Sequence, residues 1–194
     1  MNIDLVSFFL GFASSLLASV FLWYLTVYRP RNRDEKNIRE YSSSIIRGVI
    51  GQSKIVFQTI FKEAGIQREF SEISLEDFKL VGPKVKLKKE APPIIGFFIL
   101  KGASFAQYLC FYKERTVTYI QRVFTYIYFL DSELVKRLNR ILHCRYFVLC
   151  DEWLKNIDLV TDPDLTAFDE DLYEYYTAIP DLEHFCLKKG ILKE

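Results

Sequence analysis

Residues 5–28 form an unbroken apolar run without one Asp, Glu, Lys or Arg. As a helix of 24 residues it would reach about 36 Å, enough to cross a hydrocarbon core of about 30 Å with some tilt. Trp23, Tyr24 and Tyr28 gather at its C-terminal end, where amphipathic rings favour the membrane interface. Beyond Pro30 the apolar spacing changes to threes and fours: Ile38, Tyr41, Ile45, Val49, Gln52, Val56 and Ile60. That spacing predicts a long amphipathic helix, which Gly65 would end. Residues 71–96 interrupt the pattern. Ser74, followed by Glu76 and Asp77, predicts a short helix start, and Gly82-Pro83 and Pro92-Pro93 are breakers. Between them Lys84, Lys86, Lys88 and Lys89 read as a solvated loop, or as a contact for anionic headgroups near a cytoplasmic leaflet.

Two further apolar runs follow. Residues 94–112 carry only Lys101 as a charge and residues 117–130 only Arg122. The second is too short to span a bilayer, so both read as buried helices of a bundle rather than second and third spans. Asp131-Ser132 before Glu133 predicts another helix start, and Leu134, Leu138, Ile141, Leu142, Arg145 and Leu149 carry that helix to about Leu154. Asp162-Pro163 ends it. A last short helix is expected from Pro180-Asp181, with Leu182, Phe185 and Leu187 on its apolar face. The expected fold class is all-α: a single N-terminal transmembrane helix over 1–30, then a cytoplasmic bundle of four or five helices over 31–194.

The flanks of the first run set its orientation. Asp4 precedes it, and Arg29, Arg31 and Arg33 follow it. The positive-inside bias puts the C-terminal side in the cytoplasm, with the N-terminus outside an inner membrane. A cleaved signal peptide would need a positive start and a shorter apolar stretch, and the chain has neither. Small residues recur every fourth position along the run, at Ser7, Gly11, Ser15 and Ser19, with Ser14 and Ala18 beside them. On a helix they share a face. Such a stripe suits close approach of a second helix, so the chain itself and the lipid bilayer are the expected partners. Hydroxyls lining an oligomeric pore are the alternative use of the same face.

Charge sharpens this division. The net charge of +1 hides +5 over residues 1–101, where 15 Lys and Arg meet 10 Asp and Glu, and −4 over 102–194, where 11 meet 15. The halves are complementary, either between subunits or within one. Near-neutrality excludes nucleic-acid binding by bulk charge, and 17 Phe and 12 Tyr exclude a disordered chain.

The chemistry is sparse. Cys110, Cys144, Cys150 and Cys186 form no C-x-x-C pair, and His143 and His184 lie in no zinc motif, so no metal or cofactor is expected and the thiols read as free and buried. There is no phosphate-binding glycine loop and no nucleophile elbow. One cluster stands out: Arg137, Asn139, Arg140 and His143. Asn139 and Arg140 fall four and three positions before His143, so all three share a helical face. Arg137 is six positions away, about 120° round an ideal helix, and meets the histidine only if the helix bends or a partner chain contributes. A histidine can move a proton near neutrality and an arginine can hold a phosphate, the residue types that metal-independent RNA cleavage needs. A surface patch of Arg and His is the structural alternative.

The segment from Arg137 to His143 resembles the Arg-x4–6-His signature of HEPN domains, which are compact helical bundles. With its N-terminal membrane helix and helical domain, the whole layout resembles the small membrane accessory proteins of type VI-B CRISPR systems. That resemblance implies a membrane oligomer with a central pore that strengthens anti-phage defence by an RNA-guided RNA nuclease. It also implies that Arg137 and His143 take the two motif positions. Leu138 departs from the pattern of active HEPN ribonucleases, which often have Asn, Asp or His there, and this suits a divergent, structural use of the motif. Three functions follow as expectations: an oligomeric, pore-forming membrane effector; a membrane-anchored HEPN ribonuclease acting on RNA; or a membrane-tethered adaptor whose Tyr-rich acidic C-terminal segment docks a partner.

Overall fold

A computed structural model describes residues 2–92 and 102–193. Helix accounts for 80% of the described residues, and no strand occurs among them, as the all-α expectation requires. Seven α-helices follow in order: α1 (Asn2–Trp23), α2 (Arg29–Glu63), α3 (Leu75–Val81), α4 (Phe105–Phe124), α5 (Ser132–Leu142), α6 (Arg145–Asn156) and α7 (Asp169–Lys188). The chain divides into two units, Met1–Tyr41 and Ser42–Glu194, with the division inside α2.

In the first unit, α1 passes into α2 through a π-turn at Tyr24–Tyr28. The Arg29 N–H bonds to the Tyr24 carbonyl, a reach of five residues instead of four. Pro30 follows at once and has no N–H to donate, so the wide turn takes up the place where the α-helical ladder would lose a bond. The Tyr24 and Tyr28 rings stack at 5.5 Å between centroids, and Trp23 lies 5.9 Å from Tyr28.

The second unit has one hydrophobic core. Ile46, Val49, Phe57 and Ile60 of α2 are wholly buried, and Phe57 touches four aromatic rings: Phe70, Phe78, Tyr175 and Tyr176. A polar link through this part of the core is satisfied. Ser53 Oγ donates to the Val49 carbonyl (2.8 Å), which leaves the Tyr175 hydroxyl to donate to Ser53 Oγ (2.6 Å). Helix α2 ends as its glycine predicts. Gly65 has φ +70°, its N–H bonds to Lys62 and the Ile66 N–H to Phe61, a Schellman cap.

The helix start at Ser74 is a capping box. Ser74 Oγ accepts from the Asp77 N–H, and Asp77 accepts from the Ser74 N–H at 2.9 Å. That backbone hydrogen bond holds the Asp77 carboxyl below the usual carboxylate range, against burial, with help from the Ser74 hydroxyl and Arg68. A carboxyl whose pKa is lowered by folding stabilises the fold above its unfolded value, near 3.9, and that stability fades as pH falls through the lower folded value. Asp77→Asn should therefore cost about 1 kcal/mol at pH 7 and flatten the loss of thermal stability below about pH 4. Melting curves from pH 7 to pH 2.5 read both effects; parallel curves for the two proteins would exclude this role.

Four expectations need correction. The Lys84–Lys89 loop is not solvated throughout. Val85 and Leu87 are buried while Lys84 and Lys88 are exposed, in irregular chain that turns at Leu87–Lys88. The Leu87 N–H bonds to the Pro163 carbonyl, and the Phe105 and Ala106 N–H groups bond back to Lys89 and Leu87. The alternation of Val and Leu with Lys was the missed signal. The segment is not at the Ser42 end of its unit either, since Lys89 pairs with Glu63, about 30 Å along α2 from Ser42.

The expected helices over 94–112 and 117–130 are replaced by one, α4, across both runs; residues 94–101 lie outside the described residues. The charges that separated the runs are accommodated: Glu114 and Arg115 are exposed, and buried Lys113 pairs with Asp151 of α6. Its start, a capping box between Ser104 and Gln107, was legible as S-x-x-Q.

The expected helix from Asp131 to about Leu154 is two helices. A continuous helix burying Leu134, Leu138 and Ile141 would also bury Arg145. Instead Cys144 is extended (φ −62°, ψ 143°), Arg145 turns out to solvent, and Tyr146, Phe147 and Cys150 enter the core.

Finally, α7 begins at Asp169, well before Pro180; among the described residues six α-helices, α2 to α7, follow the first helix, where four or five were expected. Three acidic residues in its first turn complement the helix dipole. The missing N–H of Pro180 costs about 3 kcal/mol. Burial of Leu172, Tyr175, Tyr176, Ile179 and Leu182, each worth about 1.5–3 kcal/mol, outweighs it.

Candidate functional site

The segment from Arg137 to His143 lies at the end of α5. Arg137 projects from its middle, half-buried against α7. Its Nη1 donates to the Glu133 carboxylate (2.9 Å) and to the Glu133 carbonyl (3.2 Å). Its Nε lies 3.3 Å from Asp181 Oδ2, close enough for an ion pair but without hydrogen-bond geometry, so this buried nitrogen has no hydrogen bond. The guanidinium carbon sits 4.4 Å from the centre of the Phe185 ring, a cation–π contact. The arginine is thus engaged by α5 itself and by two residues of α7. To hold a phosphate it would have to exchange these contacts.

His143 is the C-cap of α5 (φ −105°, ψ 12°), with its N–H bonded to the Asn139 carbonyl at 2.9 Å. Its imidazole is exposed at the α5–α6 break. Asn139 is half-buried, and exposed Arg140 donates to Thr177 Oγ1 of α7 at 3.3 Å. Three of the four residues therefore tie α5 to α7 or close the end of α5. The sequence spacing located the segment but not the break after Leu142, because Arg145 kept the apolar period in register on paper.

The small-residue face of α1 has a definite hydrogen-bond state. Ser14 Oγ donates to the Gly11 carbonyl (2.9 Å) and Ser19 Oγ to the Ser15 carbonyl (2.8 Å). Thr26 does the same to Leu22 (2.6 Å). These hydroxyls spend their protons on their own helix, which lowers the cost of placing them in an apolar surrounding. Gly11 has no atom near the position a Cβ would take, so its face is open. Around the stripe Phe8, Phe9, Leu10, Phe12, Leu16 and Leu17 are all at least half exposed.

The complementary charge halves meet within one chain. Lys86 pairs with Asp162 (2.8 Å) and Asp164 (3.3 Å), Lys54 with Glu183 (2.7 Å), and Lys88 donates to the Val160 carbonyl. Pairing between subunits is not needed to explain the division.

All four cysteines are free. Burial pushes Cys144, Cys150 and Cys186 up to about 12, which leaves these thiols protonated and unreactive at neutral pH. Among the described residues no group of His, Cys, Asp and Glu is placed to hold a metal ion. An open groove of about 620 Å³ is lined by Phe61, Arg68, Phe70 and Ile73, and none of the cluster residues lines it. No protein-family model, curated protein or solved structure matches this chain.

Proposed function

We propose that the chain is a single-pass membrane protein that works as a homo-oligomer, its first helix crossing the inner membrane and its helical bundle in the cytoplasm. One observation carries the reading. The helical run Ser7–Glu63 contains an 18-residue window of mean hydropathy 1.8 with no residue buried against the protein. A helix apolar all round, with no protein cover, belongs in lipid or against copies of itself. The Arg29, Arg31 and Arg33 flank favours the cytoplasmic side for the bundle. The stripe of Ser7, Gly11, Ser15 and Ser19, where the hydroxyls of Ser19 and of neighbouring Ser14 bond to their own helix, favours close helix–helix packing over a wet lumen.

On this reading the protein is an effector that acts at the membrane by assembling there. Permeabilisation in support of an RNA-targeting CRISPR nuclease is the role that the HEPN-like layout implies. The engagement of Arg137 by Glu133, Asp181 and Phe185 weighs against the ribonuclease alternative.

The test uses the full chain. It should sediment with membranes, resist carbonate extraction, and run as an oligomer by mass photometry in mild detergent. Gly11→Leu and Ser15→Leu should weaken association at least about tenfold, about 1.4 kcal/mol, without releasing the chain from the membrane. A monodisperse parent monomer would remove the oligomer. Extraction by carbonate would remove the anchor.

A further inference from the structure

We propose that the turn at Ile127–Phe129 is a second lipid contact, through which the bundle itself rests on the anionic surface of the bilayer. The inference rests on the membrane reading above, and the experiment below separates the two.

The turn's place within its unit comes from the packing of α4 on α2. Tyr108 OH bonds to Thr59 Oγ1 at 2.9 Å. The Gln52 amide, with its oxygen turned to Arg115, accepts from Nη2 at 3.1 Å. A Cβ on Gly48 would meet the Tyr119 ring at 2.9 Å. As α2 steps back from Thr59 through Gln52 to Gly48, α4 steps forward by the same number of residues from Tyr108 through Arg115 to Tyr119. The two helices are antiparallel in constant register, which sets Thr125 level with Ser42. The turn just beyond Thr125 therefore caps the end of the unit at which the chain enters. Only residues 29–41 separate this end from the apolar span along the chain.

The turn presents apolar side chains on a fixed frame. Tyr128 is 97% exposed, Phe129 50% and Ile127 41%. The backbone beneath them is held: the Phe129 N–H bonds to Tyr126, the Leu130 N–H bonds to Ile127, and Leu130 packs on the core. Nothing in the turn needs to be ordered further for the rings to be buried.

The surrounding charge selects the partner. Arg122 is exposed in the last turn of α4. Lys189 pairs with Asp131 at 3.0 Å, which brings the end of α7 and its exposed neighbour Lys188 beside the turn and neutralises the acid nearest to it. Aromatic and aliphatic side chains with a basic border are the chemistry of an anionic lipid interface. A second copy docking by this end would set like charges against each other. The opposite end differs. There exposed Leu159 stands alone beside exposed Asp158, without an aromatic neighbour in its turn, and Asp162 and Asp164 are taken up by Lys86.

The test is tryptophan quenching by brominated lipid in the full chain, reconstituted into vesicles of phosphatidylcholine and phosphatidylglycerol. All variants carry Trp153→Phe. One keeps Trp23 as its sole tryptophan and reports the span. Two others add Trp23→Phe with Tyr128→Trp or Leu159→Trp. Trp at 128 should be quenched at least about twofold and blue-shifted, while Trp at 159 is neither. No quenching at 128 with quenching at 23 would overturn the contact and keep the anchor. Quenching at 128 without quenching at 23 would keep the contact and overturn the anchor. A blue shift at 128 without quenching would mean that protein covers the turn, which overturns the proposal in favour of a second copy or another chain.

Discussion

Phe57→Ala should cost about 3–5 kcal/mol of folding stability, a large share of the roughly 5–15 kcal/mol of a typical domain. The ring is wholly buried where α2 meets α3 and α7. Its neighbours Phe78 and Tyr176 meet it edge-on at 5.9 and 5.6 Å, and Tyr175 lies at 5.2 Å. These neighbours cannot collapse into the space left behind. Phe78 is braced by Phe61 (5.3 Å), and Tyr175 is fixed by its hydrogen bond to Ser53. The variant therefore loses both the transfer free energy of the ring and the contacts of the cavity wall. In a unit of this size the midpoint of thermal unfolding should fall by roughly 6–20 °C. Leu159→Ala, at an 82% exposed position, should stay within about 0.5 kcal/mol. A Phe57→Ala loss below about 1 kcal/mol would mean that the four-ring cluster is not the centre of the core.

The second large effect concerns Arg137. Arg137→Ala removes the cation–π contact to Phe185, the hydrogen bonds to Glu133 and the ion pair with Asp181, and leaves Asp181 without its partner. Together these should cost about 2 kcal/mol. His143→Ala, at an exposed cap, should cost under about 0.5 kcal/mol. Arg137→Lys should recover only part of the loss, since an ammonium keeps the charge but not the planar fork. The asymmetry distinguishes a structural use of the motif from a catalytic one. A ribonuclease would lose RNA cleavage equally in both alanine variants, whatever their stabilities. Equal, small stability changes accompanied by loss of cleavage by the parent would exclude the structural account.

These expectations show which parts of the molecule are readable from residue order. The helix over 38–60, its glycine stop at Gly65 and the start at Ser74 were legible because each depends on neighbours a few positions away: apolar period, a positive φ, a cap. The splitting of 131–154 was not legible. Arg145 falls on the apolar period of α5, and only the packing of Tyr146 and Phe147 against Tyr175 makes a break preferable to burying a guanidinium. Lys113 misled in the opposite sense. It looked like a boundary between helices, and its burial is tolerable only because Asp151, 38 positions on, arrives to pair with it.

The candidate sites divide the same way. By itself the sequence determined an uncharged, small-striped apolar helix, an all-α chain and one Arg–His segment, because composition and short-range period carry that information. Only the tertiary structure decided what the segment's arginine does. Its partners Asp181 and Phe185 lie more than forty positions away, and no local rule brings them together. The same holds for the charge halves, which read as possible partners between subunits and pair within one fold, and for the turn at Ile127–Phe129. In sequence that turn is the tail of an apolar run. Folding buries the run on one side of α4 and leaves these three side chains outside, because α4 stops at Phe124 and the chain turns there towards α5.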